Sequence, residues 1–208
     1  MNEKKIKLLL VDDHIMIRLG LSSLLKTRPE LEIIGDAGDG ETALRLALRH
    51  RPDVIVMDLM MPEMDGIETT RRLLAEWPEA KVLILTTFGT SDGISQALDA
   101  GAKGAILKNA DLAGLAAAIR TVAAGEVSIS DEIRQILADD PPTPKLSARQ
   151  QEILESITRG LLNPEIARQL GISIPMVREH TTALFQKLGA ANRTEAVAIA
   201  LRKQLVKM

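Results

Sequence analysis

Apolar residues in the first 125 positions fall into short runs separated by longer stretches of helical period. The runs are Ile6–Val11, Glu32–Gly35, Val54–Met57, Lys81–Thr86 and Gly104–Leu107. Between them lie Ile15–Lys26, Gly40–Arg49, Gly66–Trp77, Ser91–Ala100 and Leu112–Ala124. In the last of these, Leu115, Ala118, Ile119 and Val122 recur at helical spacing. Strand-length runs that alternate with helix-length stretches imply βαβ crossovers and a parallel sheet buried on both faces. The expected first domain, residues 1–128, is therefore an α/β domain with a five-stranded, doubly wound parallel sheet.

Beyond Ser128 the pattern changes. ISDEIRQILA can form a short helix, and DDPPTPK, residues 139–145, places three prolines in seven positions. Proline cannot continue a helix or donate to a sheet, so residues 129–145 read as an interdomain linker with a stiff, extended end. From 146 to 208 only helical periods remain. Ser147, Asn163, Ser173 and Asn192 precede them as N-caps, and Gly160, Gly171 and Gly189 fall where helices end. Four helices joined by short turns make a compact all-α module.

Composition is that of an ordinary globular protein, 46% hydrophobic and 26% charged. The absence of cysteine excludes disulfides and thiolate metal sites. The N-terminal apolar run is too short and too acidic for a signal peptide or a membrane span, so a cytoplasmic chain is expected. Charge is uneven: residues 146–208 carry nine Lys and Arg against five Glu, or +4, which leaves −6 on the rest of a chain of net charge −2. A basic end on an acidic body points toward nucleic acid, although many solvated helical domains share that balance.

The candidate chemistry lies at strand ends. In a doubly wound sheet, functional residues gather at the carboxyl edge of the strands. Asp12 and Asp13 close the first run, Asp58 the third, Thr86 the fourth and Lys108 the fifth. Each acid alone could cap a helix; five chemically matched residues at these ends point instead to one cleft. Crowded carboxylates need a cation, and hard oxygen ligands favour Mg²⁺. Acids, a metal, a lysine and a hydroxyl together suit phosphoryl transfer to a carboxylate.

LLLVDDH, VMDLMMPEMDGIE, LILTT and GAILK resemble the receiver domain of two-component response regulators, over about residues 4–125. The resemblance implies Mg²⁺-dependent phosphorylation of Asp58 by a sensor histidine kinase. It implies Asp13 as a direct metal ligand, Asp12 acting largely through water, and the backbone carbonyl of Met60 completing the protein's share of the shell. Thr86 and Lys108 would bind the phosphoryl oxygens. One position departs from the family: Ala105 stands where a switch Tyr or Phe is usual, and Phe88 is the substitute within reach in sequence. His14 is expected to start a helix with its ring solvated, and Met57, Met60, Met61 and Met64 to pack rather than bind metal.

In the tail, Pro164–Leu170, Gly171 and Ile174–Leu188 make a short helix, a tight turn and a longer helix, the arrangement of a helix-turn-helix. Arg178, Thr182 and Gln186 recur every four residues on the outer side with Glu179 beside them, and Lys187 follows. Such a face can enter a major groove or simply be solvated. LSARQQEIL, GLLNPEIARQLGIS, MVREH and KLGAANRTEAV are similar to the LuxR-type DNA-binding domain of NarL/FixJ regulators. That resemblance implies double-stranded DNA as partner, and a homodimer with part of its interface on Thr194–Arg202. The alanine-rich face there suits either a partner helix or internal core. The chain reads as a transcriptional regulator rather than an enzyme. The alternatives are a regulator indifferent to phosphorylation, which Ala105 suggests, and an aspartyl-phosphate phosphohydrolase. Against the last, Met60 stands where such enzymes carry a second acid.

Overall fold

A computed structural model of the chain describes residues 5–87, 90–143, 145–203 and 205–206. The chain divides into two compact units between Asp140 and Pro141.

The first unit opens with β1 (Ile6–Val11), α1 (Ile15–Leu25), β2 (Leu31–Ala37) and α2 (Gly40–His50). It continues with β3 (Val54–Asp58), α3 (Gly66–Glu76), β4 (Val82–Thr86) and α4 (Ser91–Asp99). β5 (Gly104–Leu107), α5 (Leu112–Ala123), β6 (Ser128–Ile129) and α6 (Asp131–Asp139) complete it. The sheet runs β2-β1-β3-β4-β5-β6 and every pairing is parallel. Residues of β3 and β4 are buried throughout because helices cover both sides, which explains runs with no polar alternation. Leu9, Val11, Ile55, Met57, Ile84 and Ala105 face the layer of α2, α3, α4 and α6. Leu8, Leu10, Val54, Val56, Leu83 and Ile106 face α1 and α5. α1 is apolar but has only Leu25 fully buried; Met16 and Leu19 stand 75% and 57% exposed.

Five strands were expected from the sequence, and the sheet has six among the described residues. β6 is two residues long, too short to show a period, and pairs with β5 through Gly104↔Ser128 and Ala105↔Ile129. Order in the first unit also extends into residues 129–145, the expected linker, since Ile133 of α6 is fully buried in the same core as Ala105. α6 is capped by Ser130, whose side chain accepts from the N–H of Ile133.

The second unit is α7 (Ala148–Thr158), α8 (Asn163–Leu170), α9 (Ile174–Leu188) and α10 (Arg193–Arg202). Ser147, Ser173 and Asn192 are N-caps as expected, accepting from the N–H of Gln150, Met176 and Glu195. Asn163 is not a cap. It lies inside α8, and the cap is Leu162, whose N–H donates to Glu165 at 2.6 Å. Gly171 ends α8 at φ 64°, a left-handed conformation open to glycine that turns the chain sharply into α9. Ile153, Leu154, Ile166, Val177, Leu184 and Leu188 form the core. Ala196 and Ala200 of α10 are buried in it, so that part of the alanine face is internal, while Leu201 is exposed. Among the described residues, no helix is long and apolar enough to cross a membrane.

Candidate functional site

The parallel register carries β1, β3, β4 and β5 to one carboxyl edge, where the polar residues begin. Asp58 pairs with Leu85, so Thr86 lies one residue past it, and Thr86 in turn pairs with Leu107, just before Lys108. The Lys108 N–H donates to the Thr86 carbonyl at 2.7 Å, which fixes the β5 turn against β4. Lys108 Nζ then reaches back across the edge, 2.8 Å from Asp58 Oδ2 and 2.6 Å from Asp12 Oδ2. Asp12, Asp58 and Thr86 are buried, and the Lys108 side chain is 8% exposed.

Local backbone chemistry holds the acids. Asp12 Oδ1 accepts from the N–H of His14 at 2.8 Å, turning the chain out of β1. Asp12 therefore shapes the turn and does not cap α1. After Asp58 the chain passes Met60, which is exposed, and Met61 and Met64, which are buried with Met57. It enters α3 at Gly66, where a Cβ would stand 2.1 Å from the Asp58 carbonyl. Only glycine lets α3 begin against the strand end, and Asp65 caps it by accepting from Glu68 N–H at 2.8 Å.

Oxygen donors converge here. One ligand atom each from Asp12, Asp13, His14 and Asp58 lies within 4.8 Å of the others. Asp12 Oδ2 and Asp13 Oδ1 are buried and accept no hydrogen bond. Lys108 Nζ comes to 2.6 Å of the first and His14 Nδ1 to 2.7 Å of the second. Buried carboxylate oxygens that lack donors, in a set of hard ligands, fit a divalent cation such as Mg²⁺. His14 has a 69% exposed ring, in keeping with a residue at the start of a helix.

Burial raises the Asp58 carboxyl above its ordinary value, against the opposing pull of Lys108. Burial also pushes Lys108 down, but its contacts with Asp12 and Asp58 outweigh that and hold it above the usual lysine range. The ammonium stays charged and compensates two acids. Asp58 Oδ2 faces Lys108, while among the described residues Oδ1 meets only the N–H of Met60 at 3.4 Å. Oδ1 is the freer oxygen.

A residue that sequence reasoning missed supports this edge. Arg18 of α1 is 15% exposed and donates Nη1 to the Asp12 carbonyl at 2.6 Å and Nε to Asp36 Oδ2 at 2.9 Å. It ties the ends of β1 and β2 together beside the acids. A side chain bound to a backbone carbonyl leaves no mark in the spacing of residue types, so no motif pointed to it. Ala105 is buried on β5 as placed, whereas Phe88 lies outside the described residues.

In the second unit, Arg178, Glu179, Thr182 and Gln186 stand exposed along one side of α9, opposite buried Val177, Leu184 and Leu188. The Thr182 hydroxyl donates to the Arg178 carbonyl at 3.0 Å, which leaves it free to accept. Lys187 departs from this face. It is half-buried, and its Nζ donates to Gln150 Oε1 and to the Lys145 carbonyl, both at 3.0 Å.

Comparison with known proteins agrees in both units. The response regulator receiver domain matches residues 8–120, and the luxR family of bacterial regulatory proteins matches residues 144–200. The transcriptional regulatory protein LiaR of Bacillus subtilis is 38% identical over 97% of this chain and 99% of its own. The response regulator protein VraR of Staphylococcus aureus is 36% identical over the same shares of the two chains. The crystal structure of the response regulator ChrA of a heme-sensing two-component system is 36% identical, with a TM-score of 0.59 over 97% of this chain and 99% of that one.

Proposed function

The chain belongs to the response regulators that join a receiver domain to a LuxR-type DNA-binding domain, and from that premise we propose that Asp58 is its phosphoacceptor. The observation that carries this reading is Asp58 at the end of β3, paired with Lys108 at 2.8 Å beside carboxylate oxygens that lack donors.

Asp13 and Asp58, with the carbonyl of Met60, would hold Mg²⁺ directly, and Asp12 would act through water. Bound there, Mg²⁺ supplies positive charge for the phosphoryl oxygens. The remaining work falls to the chain. Asp58 Oδ1, the less engaged oxygen, attacks phosphorus of a kinase phosphohistidine. The O–P bond forms as the P–N bond breaks, and the imidazole nitrogen leaves with the electron pair. Thr86 donates its hydroxyl to a phosphoryl oxygen, and Lys108 offsets the charge that accumulates. Arg18 holds Asp12 and its neighbour in place. The first unit, residues 1–128 with α6 added, is then the phosphoacceptor module of a cytoplasmic regulator. The second unit binds double-stranded DNA through Arg178, Glu179, Thr182 and Gln186 of α9. The active form is a homodimer, with exposed Leu201 on α10 available to a second copy.

Asp58→Ala should abolish Mg²⁺-dependent labelling by acetyl phosphate, read as the mass of one phosphoryl group on the intact chain. Labelling equal to the parent's would overturn the assignment. Ala105, which has no aromatic ring to turn, favours a second reading in which DNA binding ignores phosphorylation. Equal affinities with and without the phosphoryl group, at one salt concentration, would select it.

A further inference from the structure

Residues 146–208 carry five acids, and four of them hold parts of the second unit together. Glu152 pairs with Arg149 at 2.8 Å, and Glu155 Oε1 accepts from Gln151 Nε2 at 3.3 Å. Glu165 accepts from the N–H of Leu162 at 2.6 Å and Glu195 from the N–H of Ala191 at 2.7 Å, at the starts of α8 and α10. Glu179 is the fifth. It is exposed on α9, and among the described residues its carboxylate accepts no hydrogen bond and forms no ion pair. Its own helix brings it no cation, since Pro175, Met176, Thr182 and Ala183 stand one turn away on either side. Arg178, the preceding residue, projects about 100° around the helix and does not face it.

A free anion is out of place on a side that meets phosphates. By charge alone a unit of +4 would bind DNA better without it. Glu179 lies in the first half of α9, and the early residues of a recognition helix reach base edges. Thr182 and Gln186 follow it three and seven residues on, along the same side. An ionised carboxylate only accepts hydrogen bonds. In the major groove guanine presents acceptors, and thymine an acceptor and a methyl group. Adenine offers its N6 donor beside the N7 acceptor, so a carboxylate placed there also meets a lone pair. Cytosine, through N4, is the base whose groove edge donates without an acceptor of its own.

Building on the reading that α9 carries the DNA-binding side chains, we propose that Glu179 determines sequence specificity: its carboxylate accepts from cytosine N4 and fixes a cytosine at one position of the DNA that each α9 contacts. Glu179 then acts largely by exclusion. Against guanine or thymine it sets acceptor against acceptor, and on DNA of random sequence it adds repulsion from phosphates without any compensating contact. The free carboxylate thus weakens binding everywhere except where the cytosine is present.

Selection of duplexes from a randomised pool tests this with the full chain, acetyl phosphate and Mg²⁺ present, in the parent, Glu179→Ala and Glu179→Gln. All three should unfold alike, because Glu179 holds nothing in the fold. The parent should require cytosine at one position, where any other base weakens binding by about 5- to 150-fold at fixed salt. Glu179→Ala should lose that requirement, keep the rest of the selected sequence, and bind a random duplex at least as tightly as the parent does. Glu179→Gln, whose amide donates as well as accepts, should move the preference to adenine, which matches it at N6 and N7. Selection of the parent's sequence at every position by Glu179→Ala would overturn Glu179 as the cytosine reader, although DNA binding by α9 would stand. A parent that enriches no duplex over the random pool would overturn the α9 reading itself, and the cytosine contact with it.

Discussion

The cleft at the ends of β1, β3, β4 and β5 and the outer side of α9 carry charge in opposite ways. In the cleft, a buried lysine lies within 3 Å of each of two buried acids, so each depends on the rest for its own burial. On α9, Arg178, Glu179, Thr182 and Gln186 point into solvent and support nothing in the fold. The first site is built at the expense of stability and held by mutual contact; the second is borne on a helix whose other side does the packing. Function and folding are coupled in one unit and separable in the other.

Removing one charge from each site tests that difference most severely. Lys108→Ala leaves buried Asp12 and Asp58 without their cation and should destabilise the first unit by about 3–5 kcal/mol in denaturant unfolding. Mg²⁺ should restore part of this, about 2.7 kcal/mol at a hundredfold excess over its dissociation constant. Arg178→Ala should leave the second unit within about 0.5 kcal/mol of the parent. It should instead weaken binding to a DNA duplex selected on this chain by about 1–3 kcal/mol at fixed salt. A destabilising Arg178→Ala, or a harmless Lys108→Ala, would break the contrast.

A gentler test uses pH. Burial raises the folded-state value of Asp58, so the native chain binds this proton more tightly than the unfolded chain does. Where the native state holds more protons, stability falls as pH rises. From the ordinary value of 3.8 up to the raised one, ionisation of Asp58 should cost the first unit stability. Asp58→Asn removes that loss and should unfold at higher denaturant than the parent above this window. Mg²⁺, which favours the ionised carboxylate, should narrow the gap. A parent as stable as Asp58→Asn across the range would mean that Lys108 compensates Asp58 fully.

The same contrast governs what could be read from the chain. Strand ends are local in sequence, and the carboxyl-edge rule turns Asp12, Asp13, Asp58, Thr86 and Lys108 into neighbours without further information; the structure does gather them. Helical period likewise marks the outer side of α9. What the sequence withheld are single contacts between distant residues. Arg18 binds a carbonyl, β6 is a pairing of two residues, and α6 folds back on a core whose other members lie far earlier in the chain. Asn163 looked like a cap by residue type, yet Glu165 satisfies the N–H one position earlier, so Leu162 is the cap and the helix starts at Asn163 itself. None of these changes a period, so none is visible to a reading that depends on periods.

Lys187 is where the two regions come closest to alike, and it gives the finest test. By sequence it continues the basic side of α9, and a phosphate contact from it would contribute about −0.9 to the salt slope of DNA binding. In the structure its Nζ donates to Gln150 Oε1 and the Lys145 carbonyl, and Gln150 Oε1 also accepts from the Ser147 N–H in the cap of α7. Lys187 is then a brace like Lys108, on the helix that otherwise carries free side chains. Lys187→Ala should leave the salt slope unchanged and destabilise the second unit by about 1 kcal/mol. A slope shallower by about 0.9 with no change in unfolding would return Lys187 to the DNA face, because a side chain that contacts phosphate in the complex cannot also be holding the start of α7.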